Sequence, residues 1–303
     1  MILTTLPDLP PRPETSADAA FRRSFYSRWA RENAIVCGSA IEAEYASFTQ
    51  ALSIKTAWGG SERYFLRHRE VAVDADNFLV LNEGSRYGSL LAARRPAFTF
   101  SVFFRPGMHE EVLAARRQSA DSALALPDAA RCAFEFSEHL RPHDPVLAAR
   151  LQHLRRRVQA GERDENWLEE QLLRLLDSML TLEAGAAGAI DRINAARVST
   201  RRELARRLRW AADFIQSSHA EPLTLAAMAA MAAVACLSRY HFVRLFGQLF
   251  GTTPHAFLTH KRARAAQRLI ASGETDREPV AQACGFANRW ALQRALRRHA
   301  SAA

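Results

Sequence analysis

No apolar run in this 303-residue sequence approaches the roughly 18 to 20 residues that a membrane-spanning helix needs. The opening, residues 1–16, is rich in proline and lacks the basic-then-apolar layout of a secretory signal. The expectation is a cytoplasmic protein with no membrane partner, beginning in a disordered lead-in over residues 1–20. Cysteine is scarce: Cys37, Cys132, Cys236 and Cys284 lie far apart, without metal-ligand spacing. In a reducing compartment such residues read as small buried apolar groups. There is no glycine-rich phosphate loop and no nucleophile elbow. His68 stands alone on its expected strand, and Pro142 breaks the helix that would align His139 with His143. These gaps leave no candidate catalytic residue, no metal site and no cofactor, so an enzyme is not expected.

Acidic residues are scarce in one place. Residues 199–303 hold 16 of the 41 Lys and Arg but only 6 of the 32 Asp and Glu. That segment carries a net +10 and the remainder a net −1, so the whole +9 excess lies at the C-terminal end. A basic module joined to a near-neutral one suits a nucleic-acid-binding domain with a separate regulatory domain.

Along the chain, an Arg-rich amphipathic stretch (Phe21, Phe25, Trp29) leads through Ile35-Val36-Cys37 over residues 21–45. Short strands are then expected at Leu52–Ala57, Arg63–Arg67, Glu70–Val73, Asn77–Leu81 and Ala97–Phe104, with turns at Gly59-Gly60, 74–77 and 82–84. Strands at this spacing suggest a sandwich or small barrel. Asp144-Pro145 reads as an N-cap followed by proline at the first helical position, with Leu147, Leu151, Leu154 and Val158 on one face. A second helix places Leu168, Leu172, Leu175, Met179 and Leu182 in a stripe flanked by Leu173, Leu176 and Leu180. So broad an apolar face must bury against something: the strands of its own subunit, or a second copy. Residues 184–198, Gly/Ala-rich and weakly patterned, read as a linker. A helix opens at Ser199 with Leu204, Leu208, Ala211 and Ile215 inward, leaving Arg201, Arg202, Arg206 and Arg209 available for phosphates.

The most informative stretch is residues 238–254. Ser238 is a good N-cap, and Phe242, Leu245, Phe246 and Leu249 fall on one helical face. Gly251 suits a helix stop and Pro254 a restart. A helix and short turn precede Ser238. Helix, tight turn and helix with a polar outer face is the helix-turn-helix plan.

At these residues the chain resembles the AraC/XylS-type bacterial transcription regulators. Pro222 to Ile270 is similar to the first helix-turn-helix half of that family. Thr275 to Arg298, with Val280-Ala281, Gly285-Phe286, Leu292 and Leu296, is similar to the second. The resemblance covers about a third of the chain. It implies a multidomain α+β protein. Residues 21–143 would form a cupin-like β jelly roll that senses a small-molecule effector, and 144–183 a helical dimerisation segment. After the linker, 199–303 would form an all-α domain with two helix-turn-helix motifs. The implied partners are the major groove of double-stranded DNA, a second copy of the chain, and RNA polymerase. Carried over by alignment, the base-facing residues are Arg239, Tyr240, Val243 and Arg244 in the first half, and Arg289, Trp290, Gln293 and Arg294 in the second. Arg can grip guanine O6 and N7, Gln can pair with adenine, and Tyr or Val can meet a thymine methyl. For Arg244 and Arg294 the alternative is a structural ion pair.

Three departures from the family pattern stand out. Ala226–Met231 repeats Ala-Ala-Met, three residues too many, which should lengthen the preceding helix at its N-terminal end and leave the turn at 234–237 undisturbed. Arg277 replaces an apolar residue at the start of the second motif, where Thr275 and Glu278 could form a capping box. Leu292 and Leu296 replace the usual Phe pair, and the chain stops at Ala303 without the family's closing segment, leaving a second half that is expected to close poorly. These departures keep alive a degenerate relative that dimerises without specific DNA binding. A cupin-fold enzyme with an appended basic domain is a further alternative, one that lacks the His and Glu constellation of metal-binding cupins.

Overall fold

The computed structural model describes residues 1–5, 25, 27–29, 31–117, 134–221 and 232–300. Two compact units divide the chain, Met1–Gly185 and Ala186–Ala303.

The first unit is a nearly closed, mainly antiparallel β barrel backed by helices. Its strands are β1 (Ile2–Thr5), β2 (Ala34–Thr49), β3 (Ser53–Trp58), β4 (Glu62–Leu66), β5 (Arg69–Val73), β6 (Asn77–Leu81), β7 (Arg86–Phe103) and β8 (Leu140–Pro142). The main path runs β1-β2-β7-β3-β6-β8, and β4 pairs with both β5 and β7. One long strand thus serves two partners in turn. The first half of β7 pairs with β4 (Phe65 with Gly88), and the second half with β3 (Lys55 with Ser101). Along its whole length β7 also pairs with β2, whose register shifts between Ala40 and Glu42 and between Tyr45 and Phe48. Such irregularities bend a long strand and let a sheet curl. Gly88 sits at the second shift, where a Cβ would lie 2.9 Å from the Tyr45 carbonyl oxygen, so only glycine fits that approach.

Alternation along the strands decides the two faces. Ile35, Ile54, Phe78, Phe100 and Val102 point to the helix-covered face. Val36, Lys55, Thr99, Ser101 and Phe103 point to the barrel interior. Helix α1 (Met108–Arg117) follows β7, and α2 (Pro145–Gln159) and α3 (Glu165–Ile190) follow β8. Asp144 caps α2 by accepting from the Val146 and Leu147 amides, and Pro145 opens the helix, as its φ suits. Leu147, Leu151, Leu154 and Val158 of α2 are buried together with Leu168, Leu172, Leu175, Leu176, Met179 and Leu180 of α3. All ten pack in one core with the outer barrel face. The leucine stripe is therefore consumed inside its own subunit: Leu172 is 0 % and Leu175 1 % exposed. It does not supply the free dimer seam that its breadth suggested.

Other expectations need correction. Residues 2–5 are not a disordered lead-in but a strand paired in parallel with β2. The Met1 ammonium beside them pairs with Glu32 and Glu165. Residues 6–20, which complete the lead-in, lie outside the described residues. The sixteen-residue β2 extends well past the Ile35-Val36-Cys37 run that closed the expectation over residues 21–45. Its outer half, Ala40–Thr49, alternates between half-buried and exposed side chains and carries too little apolar contrast to announce itself. His68 lies on the turn between β4 and β5 rather than on a strand, and His139 and His143 flank β8. The segment 184–198 begins as helix: α3 runs to Ile190, because alanine extends helices even past Gly185 and Gly188. Beyond it Ile193 is buried at 1 % exposure. Cys132 lies outside the described residues, and Cys37, Cys236 and Cys284 are free.

The second unit is all helical over its described residues: α4 (Val198–Ser217), α5 (Arg239–Phe250), α6 (Pro254–Ala271), α7 (Arg277–Ala283) and α8 (Arg289–Ala300). Its first core joins Leu208, Ala211 and Ile215 of α4 to Phe242, Leu245, Phe246 and Leu249 of α5 and Leu258 of α6. Its second core joins Ala265 and Ala266 of α6 to Val280, Ala281, Cys284 and Leu292, with Ile270, Phe286 and Leu296 against them. Helix α6 belongs to both. The second half is thus closed by small residues and two leucines, although the sequence had suggested poor closure. The repeated Ala-Ala-Met at 226–231 lies outside the described residues.

Candidate nucleic-acid interface

Two turns of the same design organise the second unit. Residues 232–234 are helical and end at Cys236, whose φ of 50° is the only left-handed value at a non-glycine position among the described residues. The Leu237 amide donates to the Ala232 carbonyl at 2.9 Å, and the Cys236 amide to the Ala233 carbonyl at 2.9 Å. In the second half Gly285 has φ 76°. The Phe286 amide donates to the Ala281 carbonyl at 2.8 Å, and the Gly285 amide to the Gln282 carbonyl at 3.0 Å. Both are the paired bonds of a Schellman helix stop. The turn at 234–237 is therefore intact.

Each turn leads into a capped helix. Ser238 accepts from the His241 amide at 3.4 Å and Gly251 ends α5 in the left-handed region. Asn288 accepts from the Ala291 amide at 3.0 Å at the start of α8. At α7 the expected capping box does not form. Asp276, one residue later than Thr275, accepts from the Glu278 amide, which leaves the Glu278 carboxylate free to accept from the Arg289 amide. Glu278 thus ties the two helices of the second motif together.

The eight residues singled out from the sequence occupy equivalent places on α5 and α8, fifty positions apart (239 with 289, 240 with 290, 243 with 293, 244 with 294). Arg239, Tyr240, Arg244, Arg289, Trp290, Gln293 and Arg294 are all exposed. Tyr240 is 74 % and Trp290 59 % exposed. The Arg289 guanidinium lies 5.0 Å from the Trp290 ring centre. Among the described residues neither Arg244 nor Arg294 takes part in an ion pair. Val243 differs from the others: it is half-buried against the first core, so only part of its side chain can face outward.

The arginines of α4 need a similar correction. Arg201 donates to the Ala195 carbonyl and approaches Asp191 at 3.5 Å. Arg206 and Arg207 both bind Glu203, and these bonds hold the Glu203 carboxyl down to about 2. Arg209 is buried. Arg202 alone of the four is exposed and outside any ion pair among the described residues.

One positioning residue escaped the sequence reading. Arg262 of α6 is buried, and its Nε donates to the His219 carbonyl at 2.7 Å. Its second arm donates to the Glu221 carbonyl, and the group lies 6.0 Å from the Phe286 ring centre. A Cβ on Gly285 would come within 2.8 Å of the same guanidinium and 2.7 Å of the Ala220 carbonyl. Arg262 thus pins the end of α4 against the second turn, and Gly285 leaves it room.

A different kind of site lies in the first unit. Inside the barrel, a cavity of about 50 Å³ is lined by Lys55 and Glu62, the aromatic rings of Trp29, Tyr45, Phe48, Tyr64, Tyr87 and Phe103, and smaller groups. Lys55 is 2 % exposed, with its ammonium 3.6 Å from the Phe103 ring centre and 5.1 Å from that of Tyr87. Burial pushes the Lys55 amine down, to about 7, although the charge of Glu62 opposes this. Burial pushes the Glu62 carboxyl up, against hydroxyls from Tyr64 and Ser89 and the charge of Lys55.

The paired turns and the outward-facing helices define a helix-turn-helix DNA-binding transcription regulator. Residues 231–303 match the family model described as a helix-turn-helix domain. The DNA-binding domain of AdpA, a global transcriptional factor solved in complex with a target DNA, is 30 % identical over 30 % of this chain and 80 % of its own, with a TM-score of 0.28. A regulator with an AraC-type DNA-binding domain from Chromobacterium violaceum is 23 % identical over 35 % of this chain and 88 % of its own, at a TM-score of 0.28. ToxT from Vibrio cholerae spans 88 % of this chain and 93 % of its own at 10 % identity and a TM-score of 0.34. No curated protein matches. Through its C-terminal domain the chain belongs to the AraC/XylS-type regulators.

Proposed function

We propose that the chain is a sequence-specific regulator that places α5 and α8 in the major groove and answers to a small molecule held in its barrel. The observation that carries this reading is the repetition of one outward surface on two helices. Arginines outside any ion pair and a solvent-exposed aromatic stand at matching positions of both, behind matching turns. Arg244 and Arg294 then read base edges, Gln293 pairs with adenine, and Tyr240 and Trp290 pack on the groove. Arg239 and Arg289, the first residues of α5 and α8, are assigned together with Arg202 to phosphates, which fix register without reading sequence, rather than to the base edges that the resemblance implied. The buried Lys55 and Glu62 at the cavity wall support the ligand-responsive half of the proposal.

A homodimer and contact with RNA polymerase in the cytoplasm complete the reading. The dimer must use a surface other than the α3 leucine stripe. Titrating the full-length protein against the DNA upstream of its own reading frame, with and without unrelated competitor, tests the whole. Binding that survives competitor supports it. Equal affinity for both DNAs assigns the chain to the degenerate, non-specific alternative.

A further inference from the structure

Thirty-nine of the 41 basic residues are arginine; the two lysines are Lys55 and Lys261, and both are buried. A chain that uses arginine almost everywhere has an amine at the wall of the cavity inside the barrel. Arginine would be the better choice for gripping an anion, because its planar fork meets a carboxylate or phosphate with two bonds. Glu62, in the same cavity wall, also works against an anionic guest. What lysine offers and arginine cannot is a nitrogen that gives up its proton.

The surroundings favour that use. Among the described residues the Lys55 amine has no hydrogen bond and no ion pair, and it lies against the aromatic faces of Phe103 and Tyr87. Such a site strips water from the ammonium and activates the free amine as a nucleophile. Glu62, held by the Tyr64 and Ser89 hydroxyls, supplies a carboxyl that exchanges protons. The cavity, at about 50 Å³, has room for a few non-hydrogen atoms and not for a long chain.

We propose that the barrel captures a small aldehyde or ketone as a reversible imine on Lys55, with Glu62 as the proton-transfer group. This deepens, and rests on, the ligand-responsive reading above. The amine lone pair adds to the carbonyl carbon, and the carbonyl oxygen takes a proton from the Glu62 carboxyl. The nitrogen returns a proton to the Glu62 carboxylate, which passes it to the carbinolamine hydroxyl as water leaves, and the iminium nitrogen then gives its remaining proton back to Glu62. Amine and carbonyl give imine and water, with no change of oxidation state.

The scarcity of lysine makes the test direct. Full-length protein is incubated with propanal and sodium cyanoborohydride, digested, and read by peptide mass spectrometry for a propyl group on Lys55, Lys261 or the Met1 amine. Lys55 should be modified at least tenfold faster than Lys261, and its rate should rise about tenfold from pH 6 to pH 8 as the neutral amine becomes populated. Glu62→Gln should slow trapping several-fold, and Lys55→Arg should abolish the adduct at that peptide. No adduct on Lys55, or one no faster than on Lys261, overturns the proposal even if neither variant folds. Trapping unaffected by Glu62→Gln in a folded protein overturns the role of that carboxyl. Operator binding is measured on the same preparations. If it persists without a Lys55 adduct, the carbonyl chemistry is wrong and the regulator stands. If the adduct forms but propanal leaves operator affinity unchanged, the site stands and ligand-responsiveness falls.

Discussion

Cys236 holds a left-handed backbone angle that its counterpart Gly285 adopts without cost. The bonds on either side are those of the same helix stop, so glycine fits the position as well as cysteine does. The Cys236 side chain is exposed and contributes no core packing that a glycine would forfeit. Cys236→Gly should therefore raise stability, by about 1 kcal/mol, measured as a higher denaturant midpoint at unchanged slope. A lower midpoint would show that the thiol makes a stabilising contact. At the neighbouring surface Arg244 projects from α5 outside any ion pair among the described residues. Arg244→Ala should cost about 1–3 kcal/mol at one base pair and relax selectivity there. Affinity measured against a panel of single-base operator variants decides it. A uniform loss over all of them would assign Arg244 to a phosphate instead.

At the scale of elements, what was legible in the sequence is what local chemistry dictates. Ser238, Gly251 and Pro254 bound α5 and α6 because capping, left-handed glycine and first-turn proline act within a few residues. Asp144-Pro145 does the same for α2. Strands β3 to β6 were legible from their turns, but of β7 only the half from Ala97 onward was, and its first half, Arg86–Pro96, was not. Strand β2 was not, because its outer half faces solvent on one side and so loses the contrast that marks a buried strand. The role of Arg262 was not legible either, since its partners His219 and Glu221 lie more than forty residues away. The α3 stripe shows the limit most clearly: periodicity announces a buried face without saying what covers it. Here the cover is the barrel's own outer face, so Leu172→Asp with Leu175→Asp should unfold the first unit rather than give a folded monomer. Loss of the cooperative thermal transition is the expected result. A folded protein of reduced mass in sedimentation would restore the stripe as a dimer seam.

For the molecule as a whole, charge makes two separate demands, one buried and one at the surface. Burial holds the Lys55 amine to about 7 against an ordinary 10.5. Between those values the unfolded chain carries the proton and the folded chain does not, so the unfolded state binds more protons and stability rises with pH. Below the lower value both states are charged and the burial cost is felt in full. In a Glu62→Gln background, Lys55→Met should therefore raise Tm at pH 7, and the gain should shrink toward pH 10; a gain constant across that window would mean the amine titrates normally. The surface demand is the opposite kind. Residues 199–303 carry a net +10, and the exposed part of that charge faces water until DNA supplies phosphates, whose condensed counterions are then released. Each phosphate neutralised should contribute about −0.9 to the slope of log affinity against log salt. Arg239, Arg289 and Arg202, taken as phosphate contacts, set a minimum of about −2.7 per protomer on that scale. Single Arg→Ala changes at these positions should each flatten the slope by about 0.9 while leaving the order of preference among operators unchanged. An affinity flat between low and physiological salt would mean that this basic surface never meets a nucleic-acid backbone, and the proposed orientation of α5 and α8 would fall with it.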